Sequence, residues 1–198
     1  MFKSLLPQKN FFSVFYSALI VFVTAMVFSY IFLGSVTDQT SAQQQLNKLG
    51  EIIKGSLNLP PFGSLELVFF LLIKNLTASA FALVGGLLTL GIIPIFTLII
   101  NGAIIGFAIK PVIYLFGADY LLASLIPHGI IELPAFFLAA SVGLYMGIEQ
   151  IKKWAWKRPK TYSSKTALKF FFFVVFPLLL AAAFIEVYIT PIAMSYAI

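Results

Sequence analysis

Residues 65–109 read LELVFFLLIKNLTASAFALVGGLLTLGIIPIFTLIINGAIIGFAI. This stretch is almost continuously apolar, whereas about 20 apolar residues in a helix already cross a bilayer's hydrocarbon core. One span cannot use that length, but two can. The break falls at Gly91-Ile-Ile-Pro94, because glycine readily leaves a helix and proline fits the first turn of the next. A second span is therefore expected near 66–90 and a third near 94–110.

Toward the amino terminus, Phe11–Val36 forms another apolar run of 26 residues. A cleaved signal peptide has an apolar region of roughly 7–15 residues, so this run reads as a retained first helix near 11–36. Between it and Glu66 lies the most polar stretch, Thr37–Ser64. There Leu46, Leu49, Ile52, Ile53 and Leu57 recur at helical spacing opposite Gln43, Lys48 and Lys54. This is the pattern of an amphipathic helix over 40–58, lying on the membrane or on the bundle and ended by Pro60-Pro61 and Gly63.

Toward the carboxyl terminus, Pro111 is expected to interrupt the third helix, leaving residues 111–126 as a short connecting element. A fourth helix is expected near 127–150, with Pro134 threatening its first turns, so that 127–132 alternatively forms a separate or re-entrant piece. A fifth is expected near 167–190, kinked at Pro177. The whole chain, 1–198, is thus an all-α integral membrane bundle of about five spans with one outer amphipathic helix. Its composition agrees: 61% of residues are apolar and only 10% charged, with a mean hydropathy of +1.01, against about 45–50% and 25% in soluble domains.

The charges report topology. Lys152, Lys153, Lys157, Arg158, Lys160, Lys165 and Lys169 crowd the loop 151–169, and Lys3 and Lys9 mark the amino-terminal tail. Five spans put both on one side, and the positive-inside rule makes that side cytoplasmic. The carboxyl terminus and the Thr37–Ser64 loop are then outside a cell membrane. The net charge of +6 is accordingly a topology signal, with the lipid bilayer as partner and no nucleic acid expected.

Ionisable groups within a bilayer are costly, about 2.5–3.5 kcal/mol each on insertion scales, and need a reason. Lys74, His128, Glu132 and Glu186 are such groups, with Lys110 at a helix end and Asn75 and Asn101 as uncharged companions. A rise of about 1.5 Å per residue places them all toward the outer half. His128 and Glu132, four residues apart, share a helix face. The simplest role is a structural one, with Lys74 pairing to Glu132 or Glu186 and Lys110 reaching the interface. A cavity or ion path is the second reading. A metal site built on His128, Glu132 and Glu186 is the third, one donor short in a single chain.

Gly102 and Gly106, like Gly143 and Gly147, lie four residues apart and suit close helix packing. Such seams, left exposed, make a homodimer plausible. Asn75-Leu76-Thr77 matches a glycosylation acceptor, but its place inside a span argues against use. Cysteine is absent and histidine single, which excludes disulfides, thiolate sites and a paired-His zinc centre within one chain. No phosphate-binding loop, nucleophile motif or His-Glu-x-x-His is present, so neither enzyme nor cofactor is expected.

Asn75, Asn101-Gly102 with Gly106, Pro127-His128-Gly129, Glu132-Leu133-Pro134-Ala135, and Glu186 followed by Pro191 resemble the stage II sporulation protein M family. The resemblance runs from about residue 65 to 191. It implies a multipass inner-membrane protein of bacteria or archaea. The family's namesake in spore formers is a scaffold recruiting peptidoglycan-degrading partners, so it implies a non-catalytic scaffold that assembles protein partners. The alternative from the residues themselves is a channel or transporter for an ion or small solute, using the His/Glu/Lys cluster.

Overall fold

The computed structural model describes residues 5–7, 10–54, 60–157, 159 and 161–197. Five helices are long and apolar enough to cross a membrane: α1 Phe11–Leu33, α3 Leu65–Leu88, α4 Ile92–Phe116, α5 Ala118–Trp156 and α6 Ser164–Ser195. A sixth, α2 Gln39–Lys54, joins α1 to α3. Their outward faces are apolar, with Phe12, Ile20, Phe69, Phe96, Ile130 and Phe173 exposed. Side chains of this kind are the surface a bilayer covers.

Helix α5 is the centre of the bundle, in contact with α1, α3, α4 and α6. Its small residues explain why. Ala135, Ala139, Ala140 and Val142 are fully buried, and Gly143 and Gly147 let neighbouring backbones close in. A β-carbon on Gly143 would overlap the Ala82 carbonyl oxygen and stand 2.9 Å from Leu83 Cα. One on Gly147 would stand 2.7 Å from Gly91 Cα. The other pair acts likewise between α1 and α4, where β-carbons on Gly102 and Gly106 would collide with the backbones of Phe22 and Met26. Ser29 pins the same seam by donating to Ala103 O at 2.7 Å. Both glycine pairs are therefore closed inside one chain. The exposed seams on which a homodimer was expected are not available.

The connection between the third and fourth spans differs from expectation. Helix α4 runs through Pro111 to Phe116, α5 starts at Ala118, and Gly117 alone, at φ 89°, makes the turn. There is no separate 111–126 element and no re-entrant 127–132 piece. Proline 111 removes the amide that would serve the carbonyl four residues back, at Phe107. That carbonyl instead accepts from Gln45 Nε2 at 3.0 Å. A side chain from α2 thus satisfies the helix that proline was expected to break, as membrane helices require of a neighbour.

Helix α2 lies on the bundle, against α4. Ala42, Gln45 and Leu49 are buried while Gln43, Gln44, Asn47, Lys48 and Glu51 are exposed. Its start is held by a reciprocal cap. Ser41 N donates to Asp38 Oδ1 at 2.7 Å, and Asp38 N donates to Ser41 Oγ at 3.1 Å. The amide bond from Ser41 holds the Asp38 carboxyl below its ordinary range. The side chains of Ile52, Ile53 and Lys54, and residues 55–59 with Leu57, lie outside the described residues.

Helix α6 begins and ends beyond its expected bounds and contains two wide turns, Phe171–Val175 and Ile185–Ile189. Each precedes a proline, Pro177 or Pro191, that deprives a carbonyl in its middle of a donor. The backbone responds by bonding five residues on: Phe176 N donates to Phe171 O and Thr190 N to Ile185 O. Wide turns of this type favour functional positions, and the second one carries Glu186.

The amino-terminal end of α1 and the basic loop meet on one side. Tyr162 donates its hydroxyl to Leu5 O at 2.6 Å, and burial pushes its phenol up to about 12. Nearby, the Glu149 carboxylate accepts from Thr161 N at 3.0 Å and Thr161 Oγ1 at 2.8 Å, and pairs with Lys152 at 3.2 Å. Lys3, Lys9, Arg158 and Lys160 lie outside the described residues.

Candidate functional site

All five spans contribute to one cavity of about 480 Å³. Lys74, Asn75, Asn101, His128, Glu132 and Glu186 all line it, with Phe22 and Met26 of α1 among its apolar wall. The fold explains how residues so far apart meet. Helix α3 delivers Lys74 and Asn75 from adjacent positions, α4 delivers Asn101, and α6 delivers Glu186 on its second wide turn. Because α5 continues unbroken through Pro127 and Pro134, His128 and Glu132 are successive steps of one helix face.

The ligating atoms of His128, Glu132 and Glu186 lie within 4.8 Å of one another. His128 Nδ1 meets Thr190 Oγ1 at 3.4 Å, which leaves Nε2 as the ring's free nitrogen. Asn101 Nδ2 donates back to Thr97 O at 2.8 Å, which leaves the amide oxygen without that duty. The Asn75 side chain interacts with Glu132, and Lys74 acts electrostatically on both Glu132 and Glu186.

Lys74 does not form the contact ion pair that its place among carboxylates suggested. Among the described residues the one salt bridge is Glu149–Lys152, at the other end of the bundle. Lys74 also borders a second hollow of about 550 Å³ between α3 and α4, together with Asn101 and the exposed rings of Phe81 and Phe96. It stands between the two spaces. Lys110 belongs to neither: its Nζ donates to Gly34 O at 2.8 Å and lies 5.0 Å from the Tyr30 ring centre. It caps the end of α1, where free carbonyls favour a cation.

Two residues of this site carried no weight in the sequence. Ser79 lines the cavity at 1% exposure, and its hydroxyl oxygen has no hydrogen-bond partner among the described residues. Thr190 is the buried partner of His128. Each lies one helical turn beyond a recognised polar residue, Ser79 after Asn75 and Thr190 after Glu186, so helical periodicity was the signal available.

A largely apolar cavity that every span walls, and that gathers these few ionisable side chains, defines a polytopic membrane protein with polar groups held inside its bundle. Residues 18–191 match the sequence model of the stage II sporulation protein M family, and the chain belongs to that family. It is 29% identical over 164 residues to an uncharacterized protein of Methanocaldococcus jannaschii, a match covering 76% of this chain and 69% of that one. No solved structure matches.

Proposed function

We propose that this protein is a channel or transporter whose cavity binds a small cation within the membrane. The observation that carries the reading is the lining itself: two carboxylates and an imidazole share one cavity with Lys74, and no contact ion pair among the described residues ties them up. Buried ionisable groups in membrane bundles that are not locked to one another mark ion paths and binding sites. Lys74 offsets part of the carboxylates' charge when no cation is bound.

Liposomes containing the purified protein should pass a cation across the membrane, measured with entrapped indicators. Glu132→Gln and Glu186→Gln should each slow that flux by about 100-fold, roughly 2.7 kcal/mol of lost stabilisation, while the protein stays monodisperse. Wild-type flux no faster than empty liposomes, or flux indifferent to both substitutions, defeats the reading.

Scaffolding is the second reading, favoured by the exposed polar face of α2 held outside the bundle by Gln45 and Leu49. Under it the same Gln variants change assembly and no flux exists to lose. In either case we place the protein in the cell membrane, with the amino terminus and basic loop cytoplasmic and α2 and the carboxyl terminus outside. The chain has no cysteine, so single cysteines can report its orientation. Lys48→Cys should react with an impermeant thiol reagent on intact cells and Lys157→Cys only after lysis; the reverse pattern inverts the topology.

A further inference from the structure

Resting on the cation reading, we infer that His128, Glu132 and Glu186 form a binding site for a divalent transition-metal ion. The donor set makes the choice. Alkali and alkaline-earth ions take oxygen ligands, whereas an imidazole nitrogen beside two carboxylates suits Zn²⁺, Mn²⁺, Fe²⁺ or Co²⁺. The three donors lie within 4.8 Å of one another. A shared ion at about 2.0–2.2 Å from each needs them closer still, a contraction within reach of side-chain rotation by the two flexible glutamates.

The surroundings are those of a ligand site. Metal-bound histidines hold their second nitrogen in a hydrogen bond that fixes ring orientation. Here Thr190 meets Nδ1 at 3.4 Å and leaves Nε2 for the ion. An unpartnered hydroxyl, Ser79 Oγ, lies almost wholly buried on the wall of the same cavity. The Asn101 amide lines it too, its nitrogen committed to Thr97 and its oxygen open. These oxygens, or waters held by them, supply the donor that three residues alone lack.

The test uses the full-length protein in detergent, stripped with chelator and titrated with Co²⁺, Zn²⁺ and Mg²⁺. We expect one Co²⁺ or Zn²⁺ per chain by calorimetry, visible Co²⁺ absorption bands, and no comparable Mg²⁺ binding. His128→Gln, Glu132→Gln and Glu186→Gln should each weaken Co²⁺ binding at least tenfold. Thr190→Val should weaken it about tenfold by releasing the ring. Thermal stabilisation of the wild type by Zn²⁺ and not Mg²⁺ reads the same site without any variant. Stripped protein that takes up no Co²⁺, or a His128→Gln protein that binds it like wild type, overturns the assignment. Flux of monovalent ions without Co²⁺ binding overturns this inference and leaves the transport reading standing. Co²⁺ binding without any flux supports the site and defeats only the transport reading.

Discussion

Gly143→Ala should destabilise the bundle by about 3 kcal/mol, and Gly129→Ala on the same helix should cost nothing measurable. The two substitutions add the same methyl group to α5. At Gly143 that methyl would overlap the Ala82 carbonyl oxygen and crowd Leu83 Cα at 2.9 Å. Backbone cannot swing aside as a side chain can, so α3 and α5 must separate. Separation strips close van der Waals contact from Gly86 as well, whose own β-carbon position lies 2.6 Å from Gly143 Cα. Membrane helices associate largely through such contacts, because lipid offers no hydrophobic drive to bring them together. At Gly129 the nearest atom is Leu133 Cδ1 at 4.0 Å, an ordinary contact on the cavity wall. In a detergent melt the Gly143 variant should fall by roughly 10 °C, taking 2–4 °C per kcal/mol, or fail to accumulate. Equal melting of the two variants would show that the seam is looser than its geometry.

The same seams mark where reading the sequence succeeds and where it stops. Hydropathy locates spans because the cost of unpaired backbone in lipid leaves a long apolar helix little alternative. All five spans were legible for that reason. Glycine spacing identified which faces pack but not against what. The partners of Gly102 and Gly106 are Phe22 and Met26, far off in the chain. The site was legible through rarity: charged groups are few in such a sequence, and helical rise alone grouped those that now share a wall. Lys110 broke that grouping because depth carries no direction around a helix, and its ammonium turns to the Gly34 carbonyl. Ser79 and Thr190 stayed hidden because hydroxyl side chains are common in membrane helices, where the helix backbone usually takes their hydrogen bond; here Ser79 Oγ has no such partner and Thr190 turns to His128.

Pro111 reads as a helix breaker in the sequence but sits inside a continuous α4, for a reason that can be tested. A proline inside a helix leaves the carbonyl four residues back without its amide donor, and nothing near Phe107 in the chain announces another. The donor is Gln45, at 3.0 Å and on another helix. Gln45→Leu keeps bulk in a buried position but returns the Phe107 carbonyl to its orphaned state, at a cost of about 1–3 kcal/mol. It should also loosen α2, seen as faster amide exchange and proteolysis in Gln39–Lys54. Pro111→Ala restores the missing amide, so alone it should cost no more than about 1 kcal/mol for the small void it leaves. Combined with Gln45→Leu, it should bring thermal stability back to the level of Pro111→Ala alone, a coupling of about 1–3 kcal/mol in the double-mutant cycle. Packing of α2 predicts otherwise. If Gln45 merely fills space against α4, the two costs add and Pro111→Ala rescues nothing. Rescue would establish that a polar side chain in the loop helix carries a backbone hydrogen bond for the third span.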